Sequence, residues 1–290
     1  MPDMSPSIIV LANLTATSEH AIQYAAVLSE PLQARLLLLH HYREVAPDPE
    51  LVSMTATKTY RSQAEMDITL QNMTRQLPAS TQVLASTRAE VEMVTEAVER
   101  YHPLLLVMGL STDNSLLDQL WQNKALPVLR DTHWPVLAIP EAAPAPSLPR
   151  RIALAVDANP FTLNPASLAL GPLLASWQAT YIVLHAETSN EQQAFPGQRA
   201  LANVRTSHLL PPNTEPELYE EVKIPPAEGI LQAVTDIQAD LLVLIVRPHN
   251  FLGQLFHRSV TAQVLRQSRV PVLLLPALSP DTPEWLARLT

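Results

Sequence analysis

The 290-residue chain has no cysteine. Disulfides, thiolate zinc sites and cysteine nucleophiles are therefore excluded. Glycine is scarce: there are five, Gly109, Gly171, Gly197, Gly229 and Gly253, against 27 prolines. Phosphate loops need glycine where backbone must approach an anion closely. Neither GxGxxG nor GxxxxGK[ST] can be assembled from these five, so a conventional dinucleotide or P-loop site is excluded. Positive charge is also short, with 19 Lys and Arg against 28 Asp and Glu and a formal net charge of −9. Nucleic-acid binding needs a cationic face that displaces counterions, so no nucleic-acid partner is expected. The clean apolar runs are short, as in LLVLIV at 241–246. A membrane span needs roughly 20 such residues, so no membrane association is expected. The opening MPDMSPSIIVLAN lacks the cationic segment and long apolar core of a signal peptide. The expected location is the cytoplasm.

What is present suits a folded protein of two ordinary domains. Hydrophobic residues make up 47% and charged residues 16%, enough to bury a sizeable core and too apolar for disorder. The chain also repeats itself. Residues 105–140 align without a gap on 241–276 at an offset of 136. Leu105-Leu106-Val107 matches Leu241-Leu242-Val243, Val128-Leu129-Arg130 matches Val264-Leu265-Arg266, and Pro140 matches Pro276. SIIVLAN (7–13) is similar to RIALAVD (151–157), and ARLLLLHH (34–41) to ATYIVLHA (179–186). A repeat this long is a domain rather than a solenoid unit. The expected division is a first domain at 1–142, a Pro/Ala linker at 143–150 within EAAPAPSLPR (141–150), and a second domain at 151–290.

Each half alternates apolar runs with amphipathic segments. In the first half, strands are predicted at Ile8–Ala12, Arg35–His41, Thr81–Ala85, Leu104–Met108 and Val136–Ile139. They are rich in Leu, Ile and Val without polar alternation, as parallel strands covered on both faces are. Helices are predicted over Ser18–Ser29 and over Glu90–Tyr101, where Val91, Val94, Val98 and Tyr101 share a face. In the second half Asn164-Pro165 reads as a cap followed by proline at the first helical position, and Pro226 opens another helix. The fold class is thus α/β, two tandem doubly wound parallel sheets. Ligands of such sheets bind beyond the carboxyl ends of the strands. At one such end the second half carries a cluster that is unusual for an acidic chain: Arg247, His249, His257, Arg258 and Ser259 follow LLVLIV directly.

The order strand, acid, helix, then LLLVMG (104–109), WPVLAIP (134–140), and ADLLVLIV through VPVLLLP in the second half resembles the universal stress protein family in a tandem form. The resemblance covers nearly all of 7–140 and 150–277. The segment HNFLGQLFHRSV also resembles Bacteroidetes-type tandem members. The resemblance implies adenine-nucleotide-hydrolase-like domains, each with five parallel strands in the order 3-2-1-4-5, paired through their last strands. Some relatives bind ATP through an Asp after the first strand and a G-x2-G-x9-G-[S/T] pattern after the fourth. There, backbone N–H groups at a helix start face the phosphates. In this chain the first-half places hold Asn13 for the acid, then Gly109, Thr112, Gln122 and Asn123. In the second half Asp157 and the terminal Ser259 are retained, but Ile245, Pro248 and Arg258 stand for the glycines. Pro248 also removes a backbone donor. ATP and AMP are therefore disfavoured as ligands.

Two readings of the second-half loop stand. In one, Arg247, His249, His257 and Arg258 replace backbone donors with side-chain donors, and with Asp157 and Ser259 they hold a small anion or nucleotide-like ligand. In the other they form a structural loop. His40, His41 and His185 end second strands, and no metal is expected there, because equivalent places in a repeat suggest local hydrogen bonds. No catalytic residue is assigned. Asp157, His257 and Ser259 superficially form a triad, but no G-x-S-x-G elbow exists. Glu215–Glu221 reads as a solvated edge beside the third strand. A stress-response regulatory or binding module follows, with little or no ATP binding. Its expected partners are its own two domains, a homodimer mate and an unidentified protein. A second domain that binds ATP, AMP or another anion, with or without ATP hydrolysis, and a ligand-free interaction scaffold are the alternatives.

Overall fold

The computed structural model describes residues 5–13, 15–42, 65, 68–75, 77–78, 80–88, 90–111, 133–187, 194–222, 225–247 and 259–278. In the first half the strands are β1 (Ser7–Leu11), β2 (Arg35–His41), β3 (Gln82–Ser86), β4 (Leu105–Leu110) and β5 (Val136–Pro140). In the second they are β6 (Arg151–Ala155), β7 (Thr180–Glu187), β8 (Glu217–Val222), β9 (Leu241–Val246) and β10 (Val272–Pro276). The ten strands form a single sheet in the order β3-β2-β1-β4-β5-β10-β9-β6-β7-β8. Each half has the order 3-2-1-4-5, with every pairing inside a half parallel. Among the described strands, the antiparallel pairing joins β5 to β10, with Leu137 opposite Leu273. The last strands of the two halves, expected at a contact between them, thus hydrogen-bond to each other directly.

The strands are Leu-, Ile- and Val-rich because both faces of the sheet are covered. On one face Ala21, Ile22, Ala25 and Leu28 of α1 (Ala16–Ser29) pack on Ile8, Val10 and Val107. In the second half the same face receives Leu173 and Leu174 of α4 (Gly171–Ser176), which follows the short α3 (Pro165–Leu168). On the opposite face lie α2 (Glu90–Tyr101), α6 (Pro226–Asp236) and α7 (Val260–Gln267), with Val94, Val98, Ile230, Val234 and Leu265 buried. The helix α5 (Pro196–Thr206) lies between β7 and β8 in the chain. Both apolar layers run through the seam: Leu137 and Leu273 belong to one, Val136 and Val272 to the other. Each such fully buried leucine or valine is worth about 1.5–3 kcal/mol of apolar burial. Further ties reinforce the seam. Trp177 Nε1 donates to the Leu28 carbonyl at 3.1 Å, Tyr24 Oη to the Pro144 carbonyl at 2.8 Å, and Asn164 Nδ2 to the His133 carbonyl at 2.5 Å.

The scarcity of glycine has a backbone consequence. Helices often end on a left-handed residue, usually glycine. Here Gln33 (φ 50°) and Gln178 (φ 53°), at equivalent places before β2 and β7, take that conformation. So do His102 (φ 41°) and Gln238 (φ 52°), equivalent at the offset of 136. The left-handed conformation costs an L-residue roughly 1–2 kcal/mol, and the chain accepts that cost twice at each place. The stretch Glu215–Glu221, expected beside the third strand, in fact supplies it. Glu217–Val222 forms β8, an edge of the sheet, and Glu217 and Glu220 keep that edge charged.

Candidate functional site

The carboxyl ends of β1 and β4, and of β6 and β9, are the places where doubly wound sheets hold ligands. In the second half that place contains a compact polar clamp. Arg247, just past β9, donates from Nη2 to Asp157 Oδ1 at 2.7 Å and to the Asn159 carbonyl at 2.9 Å. Its Nη1 donates to the Pro160 carbonyl at 2.9 Å. Asp157 Oδ1 also accepts from the Asn159 backbone N–H at 3.0 Å, which turns the loop after β6 back on itself. Arg247 is partly buried and Asp157 is exposed, with 26% and 53% of their side-chain surfaces accessible. The guanidinium fork, suited to gripping carboxylates, is engaged by the chain's own acid and two of its carbonyls. Asn203 Nδ2 adds a bond to the Ala158 carbonyl at 3.3 Å. Ser259 caps α7: its Oγ accepts from the Ala262 N–H at 3.2 Å, as a serine before a helix does. Of the second-half candidates, the structure brings Asp157 and Arg247 together and gives Ser259 a capping role. His249, His257 and Arg258, with Pro248, lie outside the described residues.

The first half is neutral at the matching place. Asn13 stands for Asp157, and Ser111 for Arg247 at the offset of 136. Asn13 Oδ1 accepts from Thr15 Oγ1 at 3.1 Å, and its backbone N–H donates to Ser18 Oγ at 3.0 Å. Thr15 caps α1 by accepting from the Ser18 N–H at 3.3 Å. Gly109 has a packing reason to be glycine. A Cβ there would lie 2.3 Å from the Thr17 carbonyl oxygen, because the first turn of α1 crosses β4 at that point. Thr112, Gln122 and Asn123 lie outside the described residues.

The second half avoids this crossing. Four residues, 12–15, link β1 to α1, whereas nine, 156–164, link β6 to α3. The longer link is stitched to the end of β10. Leu163 forms an isolated bridge with Ala277, and the Leu278 N–H donates to the Thr162 carbonyl at 2.8 Å. Ser167 Oγ donates to the Pro276 carbonyl at 3.1 Å. With the helix start drawn toward β10, the position equivalent to Gly109 holds Ile245, which packs against the same apolar layer. Ile245 thus fits the altered path of the helix as well as the loss of a phosphate glycine.

The histidines repeat. His40 Nδ1 donates to the Ala12 carbonyl at 2.6 Å, and His185 Nδ1 to the Val156 carbonyl at 3.1 Å, both buried. Each ties the end of a second strand to the end of the first. His41, next to His40, is half-buried, and no group of three His, Asp or Glu residues able to hold a metal ion occurs among the described residues. Trp134 Nε1 donates to the Pro103 carbonyl at 2.5 Å. Two tyrosines are strongly perturbed. Burial pushes Tyr24 up to about 12, helped by the negative charge of Asp240 from the other half, and burial raises Tyr181 as well.

Sequence reasoning missed the carbonyls of Asn159 and Pro160, because a backbone acceptor has no residue signature. It also missed that Arg247 turns toward Asp157, although the joint change from Asn13 and Ser111 to Asp157 and Arg247 was visible in the repeat.

This geometry defines a class: two doubly wound halves joined edge to edge through their last strands, each with a strand-end site stripped of most of its glycines. The universal stress protein family profile matches residues 4–140 and 149–276, so the chain belongs to the universal stress protein family, in tandem form. Among solved structures it is similar to a universal stress protein from Archaeoglobus fulgidus DSM 4304, with a TM-score of 0.66 at 17% identity over 94% of this chain and 97% of that one. It is also similar to a functionally unknown protein from Pseudomonas aeruginosa PAO1, with a TM-score of 0.57 at 18% identity over 99% and 97%. At such identities the likeness is one of fold. None of the curated proteins matches the chain. Among the described residues no helix is long and apolar enough to cross a membrane.

Proposed function

We propose that this protein is a stress-response binding or regulatory module whose nucleotide sites are degenerate and bind ATP weakly or not at all. The observation that carries the reading is the Arg247 clamp. The acid that relatives present after the first strand is here engaged by an arginine of the same domain, which is itself held by two carbonyls. A ligand phosphate would have to compete with Asp157 for that guanidinium. Ser259 has a structural task as well, since its hydroxyl oxygen accepts from the Ala262 N–H as the cap of α7. In this reading the units 1–142 and 151–290, joined by 143–150, act in the cytoplasm as an internal pseudo-dimer that engages a protein partner and leaves room for a homodimer.

Thermal unfolding with and without millimolar ATP, AMP and inorganic phosphate tests the proposal. A ligand at 100 times its dissociation constant stabilises by about 2.7 kcal/mol. No shift is expected with any of the three. A shift with ATP or AMP that disappears in Arg258→Ala would overturn the closed reading in favour of an anion site built on the second-half loop. Turnover of the bound ATP would make the protein an enzyme. Sedimentation of the same sample reads the homodimer.

A further inference from the structure

The two halves also differ between the edge strand and the helix that follows it. In the second half Tyr219 of β8 is paired in register with Leu184 of β7, and its Oη donates to Asp236 Oδ2 of α6 at 3.2 Å. Gln232 Nε2 holds the other oxygen of Asp236 at 2.8 Å. A large ring and a hydrogen-bonded pair thus bridge strand and helix. In the first half the register-equivalent residue is Leu84, paired with Leu39. The offset of 136 puts Arg100 in the place of Asp236 and Glu96 in the place of Gln232. No bridge can form between Leu84 and Arg100, and a cleft of about 450 Å³ lies open there.

The walls of the cleft have a definite chemistry. Its floor is apolar, made by Leu39, Leu84, Met93 and Ala97, with Tyr101 at one side. Leu39, Met93 and Ala97 are buried core residues. The rim carries Arg88, Glu96 and Arg100. Arg88 is paired with Glu96. Arg100 has no ion pair among the described residues, and its guanidinium carbon lies 5.3 Å from the centroid of the Tyr101 ring. An arginine without an ion pair among the described residues, beside an aromatic ring and above aliphatic side chains, suits a ligand with an apolar body and one negative end.

We propose that this first-half cleft between β3 and α2 binds a small amphipathic organic anion, an acyl or aromatic carboxylate, with its body on Leu39, Leu84, Met93 and Ala97 and its charge on Arg100. The second half has given up this site by placing Tyr219 and Asp236 in it. The proposal goes beyond the closed nucleotide sites and is independent of them, because it uses the opposite layer of the sheet and the other half of the strand-end comparison.

Fluorescence titration of the full chain with 1-anilinonaphthalene-8-sulfonate, followed by displacement with octanoate, tests it. The expected result is saturable binding displaced by octanoate and at least tenfold less well by octanol. Arg100→Gln, an exposed substitution that leaves the core intact, should weaken octanoate about tenfold. The double variant Leu84→Tyr with Arg100→Asp, which installs the second-half bridge, should abolish displaceable binding. Wild-type octanoate affinity in Arg100→Gln, equal displacement by octanol, or no displaceable binding in the wild type would each overturn the proposal. Circular dichroism confirms that the double variant is folded; if it is not, Arg100→Gln alone decides.

Discussion

The two halves of this protein share a topology, a strand register and even the same left-handed helix ends, yet they solve the same strand-end problem in opposite ways. The first half keeps a short link from β1 to α1, so the helix crosses β4 closely and Gly109 must lack a side chain. The second half lengthens that link, stitches it to the end of β10, and can carry Ile245 where the glycine was. The charge follows the path. The longer link creates the carbonyls of Asn159 and Pro160, and an Asp157–Arg247 pair appears where Asn13 and Ser111 are neutral. The difference teaches that a lost motif glycine has two causes, loss of a ligand and loss of a close backbone crossing. A repeat within one chain can separate them.

The sharpest way to break the comparison is at the glycine itself. Gly109→Ala should destabilise by about 3 kcal/mol, since the new methyl meets main-chain atoms that cannot swing away. Ile245→Ala should cost about 1–2 kcal/mol, the price of trimming a partly buried side chain. Urea unfolding midpoints measure both, and a tolerated Gly109→Ala would refute the close crossing. Next in size is the clamp. Arg247→Ala should lower stability by about 1 kcal/mol, a modest value because the pair is partly solvated. Thermal unfolding reads it, and the proposed absence of an ATP response should persist in that variant. If Arg247→Ala instead creates ATP binding, the clamp is what closes the site.

The smallest effect at neutral pH concerns the tie between halves. Tyr24 is raised from 10.0 to about 12 by burial and by Asp240. The folded state therefore holds this proton more tightly than the unfolded chain does. Its contribution is fully present below about pH 10 and is lost as pH rises to about 12. Tyr24→Phe should flatten that part of the alkaline unfolding curve, and Asp240→Asn should move its upper end to lower pH. An unchanged curve in Tyr24→Phe would show that Tyr181, also raised by burial, carries the alkaline response alone.

Much of the fold was legible because parallel strands buried on both faces must be continuously apolar and helices on them must be amphipathic. Arg35–His41 and Glu90–Tyr101 have the predicted bounds, and Asn164-Pro165 and Pro226 open helices as capping chemistry requires. The strand ends were read a residue or two differently. Leu104–Met108 became Leu105–Leu110, since Gly109 continues pairing with Ile139 despite its low strand preference. Glu217–Val222 was harder still: an edge strand has one row of backbone groups facing solvent and tolerates the glutamates that made it read as a solvated edge beside the third strand rather than as the strand itself.

The sequence by itself determined the repeat, the doubly wound fold, the poverty of phosphate-loop glycines and the residues standing in their place, because these depend on local periodicity and residue identity. Only the tertiary structure decided where Arg247 points, why Gly109 and not Ile245 must be small, and that Tyr219 closes in one half what Leu84 leaves open in the other. Those outcomes depend on backbone carbonyls and on the distance between elements far apart in the chain, and neither is written in any single residue.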